Sequence, residues 1–291
     1  MSGSTLAARA LGRLLADYRK RAQMSRSAAA RYLGTSIQTM SRLEDGLKAK
    51  VTHFWINGLA DIYNCSDEER LLLLNLVTEM SSAHKNWWRA YEDEMKPRFD
   101  YYLGLEEAAS RVSSWRLADL PGLLQTPAYR RAIEWTEHPE MPSEQVERRV
   151  EMAMRRKSRL EDDGFEVDIV VSEGAMRAQV GGPAVLAEQL RYLADVGERP
   201  NVSIRHVPFD APTHLGSLIE SFVLLEFPKL PATGMVESPV VYIEGCVGDL
   251  YLERETEVQR FRNAFAEISR VALDPDITRQ RMLSRAKECG E

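Results

Sequence analysis

The chain has 291 residues, enough for about two domains that each bury a core. With 44% hydrophobic and 28% charged residues, and 17 Gly and 13 Pro in no regular period, neither a disordered nor a collagen-like chain fits. The net charge of -6 hides an asymmetry: residues 1–50 hold 10 Lys/Arg against 3 Asp/Glu, a surplus of +7 that leaves -13 for the rest, as in a nucleic-acid-binding end joined to a segment with another task.

Cys65, Cys246 and Cys289 are isolated thiols, which speaks against a disulfide framework or a cysteine zinc site and for a reducing, cytoplasmic setting. No apolar run approaches the ~20 residues of a bilayer span, and the N-terminus lacks the order of a signal peptide, so neither membrane insertion nor export is expected.

In chain order, Leu11, Leu14, Leu15 and Tyr18 recur at helical spacing within 6–21. They predict a helix with Arg9, Arg13, Arg19 and Lys20 largely off its buried face. Ser25 caps a second helix from Arg26 to Leu33, ended by Gly34; Ser36 caps a third, stopped by Gly46. Helices over 52–63 and 67–80 follow, the latter opened by the capping box Ser66-Asp67-Glu68-Glu69. Five helices make one all-α domain over 1–80.

Trp87, Trp88, Tyr91, Phe99, Tyr101 and Tyr102 then crowd a short stretch that reads as a packed junction, and 105–115 reads as helix or strand. Thr126-Pro127 starts a helix to about Glu137, and Ser143 caps a charged helix to about Leu160. Strands are expected at 166–171, 202–207, 217–227 and 240–244, with a helix at 183–196 and a closing amphipathic helix at 253–272. Strand, helix and strand favour a parallel crossover, and the last two strands an antiparallel pair across the Pro/Gly-rich 228–239. The second domain, 81–291, is therefore expected to be α+β with a mixed sheet.

The second and third helices carry the chemistry. A helix-turn-helix needs a small residue where the helices touch and a glycine where the chain turns, the places of Ala30 and Gly34. Ala29, Leu33, Met40 and Leu43 supply the inward face; Ile37, Gln38, Ser41 and Arg42 are left for a major groove. The run Ser25-Arg26-Ser27-Ala28-Ala29-Ala30-Arg31-Tyr32-Leu33-Gly34-Thr35-Ser36-Ile37-Gln38-Thr39-Met40-Ser41-Arg42-Leu43-Glu44-Asp45-Gly46 resembles the XRE (Cro and lambda-repressor-like) helix-turn-helix, over roughly 9–64.

The resemblance implies binding of double-stranded operator DNA, with Gln38, Thr39 and Arg42 at base-edge positions and Arg26 and Lys48 near phosphates. Ser36, Ile37 and Ser41 complete the candidate set. Thr35 and Ile37 depart from the family, which usually has an aliphatic residue at the first position and a polar one at the second; Ile37 can instead pack on a thymine methyl. Arg42 can donate bidentately to guanine, and Gln38 suits adenine in the same way.

In the second domain Trp87-Trp88, Tyr102-Leu103-Gly104-Leu105-Glu106, Pro121-Gly122-Leu123-Leu124-Gln125-Thr126, Val180-Gly181-Gly182-Pro183, Glu198-Arg199-Pro200-Asn201-Val202, Leu225-Glu226-Phe227 and Val241-Tyr242-Ile243-Glu244-Gly245 follow in order. The series is similar to the C-terminal domain of WhiJ-like, antitoxin-like actinobacterial regulators, over about 83–285. That resemblance implies a developmental or specialised-metabolism regulator, often with a small neighbouring-gene protein as partner, and supplies no catalytic residue.

Nothing in the second domain matches an enzyme motif: there is no Gly-x-Ser-x-Gly elbow, phosphate loop or Cys/His arrangement. His206 and His214, with Asp210 and Glu220, match no zinc spacing and read as loop histidines. Gly181-Gly182-Pro183 reads as a tight turn into a helix rather than an anion cradle. Arg148, Arg149, Arg155, Arg156, Lys157 and Arg159 interleave with Glu144, Glu147, Glu151 and Glu161, as on a salt-bridged solvated or subunit-facing helix. The stretch 244–249 reads as a turn with Cys246 buried as a small apolar residue.

The expectation is thus a cytoplasmic DNA-binding transcriptional regulator, not an enzyme, with no cofactor or metal. A homodimer is expected because each reader contacts one half-site. The C-terminal domain would serve dimerisation and bind a small protein or a ligand of unknown identity. Two alternatives stay open: an antitoxin-like protein that sequesters a small partner and binds DNA for autoregulation, or a C-terminal small-molecule sensor or enzyme domain.

Overall fold

The computed structural model describes residues 6–47, 51–82, 87–231 and 233–290. Contacts group the chain into two units: Met1–Glu92 with Pro97–Ala108 and Phe227–Glu237, and Asp93–Lys96 with Ala109–Glu226 and Ser238–Glu291. In this grouping the first unit runs on to Glu92 and takes in the nearby Pro97–Ala108 and the distant Phe227–Glu237.

The first unit opens with five helices: α1 (Leu6–Arg21), α2 (Arg26–Tyr32), α3 (Ile37–Glu44), α4 (His53–Ile62) and α5 (Asp67–Ser82). Leu11, Leu15, Met40, Ile56, Leu59, Leu73 and Leu76 form their fully buried centre. The capping box is present in both directions, with the Ser66 amide donating to Glu69 at 2.9 Å and the Glu69 amide to Ser66 Oγ at 3.2 Å. Helix α6 (Phe99–Ala108) belongs to this unit and buries Tyr101 and Tyr102, and Trp88 and Tyr91 are buried just before it. The segment Phe227–Glu237 also belongs to it, where the Arg9 guanidinium lies 5.2 Å from the centre of the Phe227 ring and Arg13 pairs with the buried Glu237 at 2.5 Å.

Two expectations for α1 and α2 are corrected. Arg9 and Arg19 are buried, because an aromatic ring and a carboxylate, respectively, meet their guanidinium groups. Leu33 is half-buried rather than part of the core, since it stands at the end of α2 where the chain turns.

The second unit is built on a six-stranded mixed sheet in the order β3-β2-β1-β4-β5-β6. Its strands are β1 (Arg111–Arg116), β2 (Glu166–Ser172), β3 (Val202–Val207), β4 (Phe222–Glu226), β5 (Val240–Ile243) and β6 (Leu250–Leu252). The first three run parallel and the last three antiparallel, with Val112 opposite Val167 and Val223 opposite Tyr242. Between them lie α7 (Pro127–Glu137), α8 (Ser143–Arg156), α9 (Glu173–Arg177) and α10 (Pro183–Val196), and α11 (Glu255–Val271) and α12 (Pro275–Gly290) follow. Trp115, Val170, Phe222, Leu224 and Val241 pack with Val258, Phe265 and Ile268 of α11, while α12 lies against α10 and β3.

The parallel crossover through α10 and the antiparallel β4–β5 pair are as expected; several details are not. Residues 105–115 hold the end of α6 and then β1, and the strand expected over 217–227 begins at Phe222 because a 3-10 turn occupies Leu215–Ser217. Ser143 is the first residue of α8 and makes no side-chain cap. Cys246 is exposed, lying in the turn after β5 and not in a packed face. His206 stands in β3, not in a loop. Strand β6 is additional, and α12 follows the helix expected to close the chain. No described helix is long and apolar enough to cross a membrane.

Candidate nucleic-acid interface

The short helices α2 and α3 are each set by a local start and stop. Ser25 Oγ accepts from the Ala28 amide at 3.2 Å, and Ser36 Oγ from the Thr39 amide at 3.0 Å. Helix α2 ends in a Schellman motif: the Gly34 amide donates to the Arg31 carbonyl at 3.1 Å and the Thr35 amide to the Ala30 carbonyl at 2.9 Å. Gly34 has φ +66°, a left-handed conformation that a side chain disfavours, and it redirects the chain into α3. Ala29 and Ala30 are buried on α2, Met40 and Leu43 on α3. Helix α1 approaches α3 at Gly12, where a Cβ would stand 2.5 Å from the carbonyl oxygens of Leu43 and Glu44.

This packing leaves one side of α3 in solvent. Ser36, Ile37, Gln38 and Arg42 are exposed, Ile37 to 56%, while Thr39 and Ser41 are half-buried. Ser36 and Thr39 hydroxyls lie 2.9 Å apart, and Ser41 donates to Asp45 at 3.2 Å. The cap residue Ser36 and the five candidates on α3 therefore share one short segment with hydroxyl, amide, guanidinium and methyl chemistry, the groups that read base edges. Lys48 lies outside the described residues.

Arg26 is placed differently from the other candidates. Its Nε donates to Glu44 at 2.7 Å and its Nη1 to Ser41 Oγ at 3.4 Å, so it braces α3 from α2. Glu44 also accepts two hydrogen bonds from Arg19, at 2.5 and 2.9 Å, and Arg19 donates to the Met24 carbonyl at 2.8 Å. Burial pushes the Glu44 carboxyl up, but the hydrogen bonds from Arg19 and Arg26 outweigh it and hold the group below the usual carboxylate range. The Arg19 pKa is raised, first by its hydrogen bond to Glu44.

Sequence reasoning missed Glu44 and Gly12. Glu44 follows Met40 by four residues and Leu43 by one, which places it on the inward side of α3 and was the available signal. Much of the N-terminal cationic surplus is spent inside the first unit: Arg19 and Arg26 on Glu44, Arg13 on Glu237 and Arg21 on Glu69.

Elsewhere, the charged helix α8 is salt-bridged to residues outside it, Arg148 to Glu94, Arg149 to Glu134 and Glu147 to Arg131, but it ends at Arg156 rather than near Leu160, and Arg156 is buried rather than solvated. Among the described residues, Glu134, Glu137 and His138 come close enough to share a cation. Glu134, the buried member, already accepts from Arg130 and Arg149, whose charges oppose a metal there. His206, His214, Asp210 and Glu220 form no such group among the described residues; the His214 ring instead makes a T-shaped contact with Trp115, centroids 5.8 Å apart.

Comparison with known families gives two matches. A family described as "Helix-turn-helix domain" matches residues 10–73, and one described as "Domain of unknown function (DUF5753)" matches 99–284. No curated protein and no solved structure matches the chain.

Proposed function

The chain belongs to the DUF5753 family, and on that premise, with a helix-turn-helix domain ahead of it, we propose that it is a sequence-specific DNA-binding transcriptional regulator. Helix α3 enters the major groove, with Gln38, Thr39 and Arg42 at base edges, Ile37 against a thymine methyl, and Ser36 and Ser41 beside them. Lys48 contacts phosphate, and Arg26 reaches the backbone from the brace it forms with Glu44. The observation that carries this reading is the solvent-facing side of α3, held in register by a buried ion-pair cluster on its opposite side.

The reader acts as one of a pair, since a single module contacts one half-site only. The C-terminal domain supplies the pairing and docks a small protein or ligand that shifts DNA affinity. Its similarity to WhiJ-like regulators supports a role in development or specialised metabolism. Selection from a random duplex library with the full-length protein, followed by footprinting, tests the proposal. An enriched motif with two-fold symmetry, lost on changing Gln38 and Arg42 together, is expected. Equal affinity for all duplexes at low salt overturns it.

A further inference from the structure

Strands β2 and β3 are parallel, so their carboxyl ends open on the same edge of the sheet. In sheets of this kind small ligands are held beyond the carboxyl ends of the strands. His206, the penultimate residue of β3, and Glu173, which follows directly on β2, line a cleft of about 220 Å3 whose other wall carries Arg281, Ser284 and Arg285 of α12. That volume lies below the ~300–1,000 Å3 of drug-sized sites and calls for a ligand of few atoms.

His206 is 1% exposed, and among the described residues neither ring nitrogen has a hydrogen-bond partner. A neutral imidazole carries one donor and one acceptor, and leaving both unmatched in an interior is unfavourable unless something enters the cleft to meet them. Burial lowers the His206 pKa to about 4; the Glu173 carboxylate opposes this, Arg281 and Arg177 add to it, and Asp210 opposes it. The ring is therefore neutral at pH 7 and offers one N–H.

The charges around it do not cancel. Arg177 donates to Glu173 at 2.7 Å and Arg285 to Glu288 at 2.8 Å, so those four balance in pairs. Arg281, exposed at the rim, has no ion-pair partner among the described residues. Among the groups that line the cleft one guanidinium is therefore left in excess beside a buried donor, while the Asp210 carboxylate acts on the ring from outside that lining.

We propose that this cleft binds a small oxyanion, the carboxylate or phosphate group of a metabolite, with its charge on Arg281 and one oxygen accepting the His206 N–H. The inference goes beyond the DNA-binding reading and does not depend on it, because occupancy is measured without DNA.

The test is a titration of the full-length protein followed by calorimetry and by the histidine ring signals in NMR. Inorganic phosphate is the probe in one arm, succinate in a second and glycerol, as a neutral control, in a third. Saturable binding of at least one anion, absent with glycerol and weakened about tenfold or more by Arg281→Gln, is expected. The anion that saturates at lower concentration identifies the preferred oxyanion. His206→Phe, which fills the site but has no N–H, should weaken binding comparably; Arg281→Gln, at the exposed rim, keeps the test decisive if that core variant fails to fold. No saturation by either anion, or unchanged affinity in Arg281→Gln, overturns the proposal.

Discussion

Arg19 and Glu44, twenty-five residues apart, meet through two parallel hydrogen bonds of 2.5 and 2.9 Å, with the Glu44 side chain 1% exposed. The planar guanidinium fork fits the carboxylate, and Arg26 takes the same carboxylate from α2, so one acid ties three helices together. Removing one partner of such a pair strands a buried charge, at a cost of about 3–5 kcal/mol. Glu44→Ala is expected to lower stability by that amount in urea denaturation followed by circular dichroism. A loss below about 1 kcal/mol, the range of a surface pair, shows that the cluster is not a tether. Because folding lowers the Glu44 pKa, its contribution is complete above the ordinary carboxylate value and is lost as the pH falls below it.

Two glycines of the reader separate conformational from steric cost. A Cβ at Gly34 meets nothing within 4 Å, so Gly34→Ala carries only the left-handed penalty, about 1–2 kcal/mol. At Gly12 the same atom lands 2.5 Å from two backbone oxygens, which forces α1 away from α3. Gly12→Ala should therefore show the larger drop in Tm. The reverse order would mean that α1 and α3 do not pack as described.

On the exposed side of α3, Arg42→Ala and Gln38→Ala are each expected to weaken binding to the selected duplex by about 1–3 kcal/mol, roughly 5- to 150-fold. Arg42→Ala should reduce random-sequence binding much less. Equal losses on both, in a titration at fixed salt, make Arg42 a phosphate contact. Replacing Lys48 by Gln should instead flatten the salt dependence by about one unit of slope, whatever the sequence.

His206 gives the second unit a distinct acid response. Its folded pKa of about 4 lies below the ordinary histidine value of 6.5, so the folded state is favoured by the neutral ring. That contribution, on the order of 3 kcal/mol, is complete above pH 6.5 and declines as the pH falls towards 4. His206→Phe should remove this part of the pH dependence, which a comparison of denaturant midpoints at pH 7 and pH 5 will show. Identical pH profiles in parent and variant rule the histidine out as its source.

Much of the reader was legible because its signals are local. Ser25, Ser36 and Ser66 act on amides three residues away, and Gly34 and Gly46 end helices within one turn, so starts and stops follow from a few neighbouring residues. The apolar spacing of Met40 and Leu43 likewise gave the exposed side of α3. In the second unit the Val- and Ile-rich strands β2, β3 and β5 were readable as hydrophobic runs. Strand β6 has only three residues, too few to show a period although Leu252 packs against the core, and α12 carries its buried Thr278, Met282 and Ala286 among polar neighbours, so neither left a clear pattern.

The sequence by itself determined the helix-turn-helix and the side of α3 that faces outward, since capping, turning and amphipathic spacing work over three or four residues. Only the tertiary structure decided which basic residues are already held by a carboxylate of the chain. Arg26, Arg19 and Arg13 find their carboxylates 18, 25 and 224 residues away, and charge counting along the chain carries no information about such partners. The same holds for His206, whose isolation is a property of the strands and helix that surround it and not of the residues beside it.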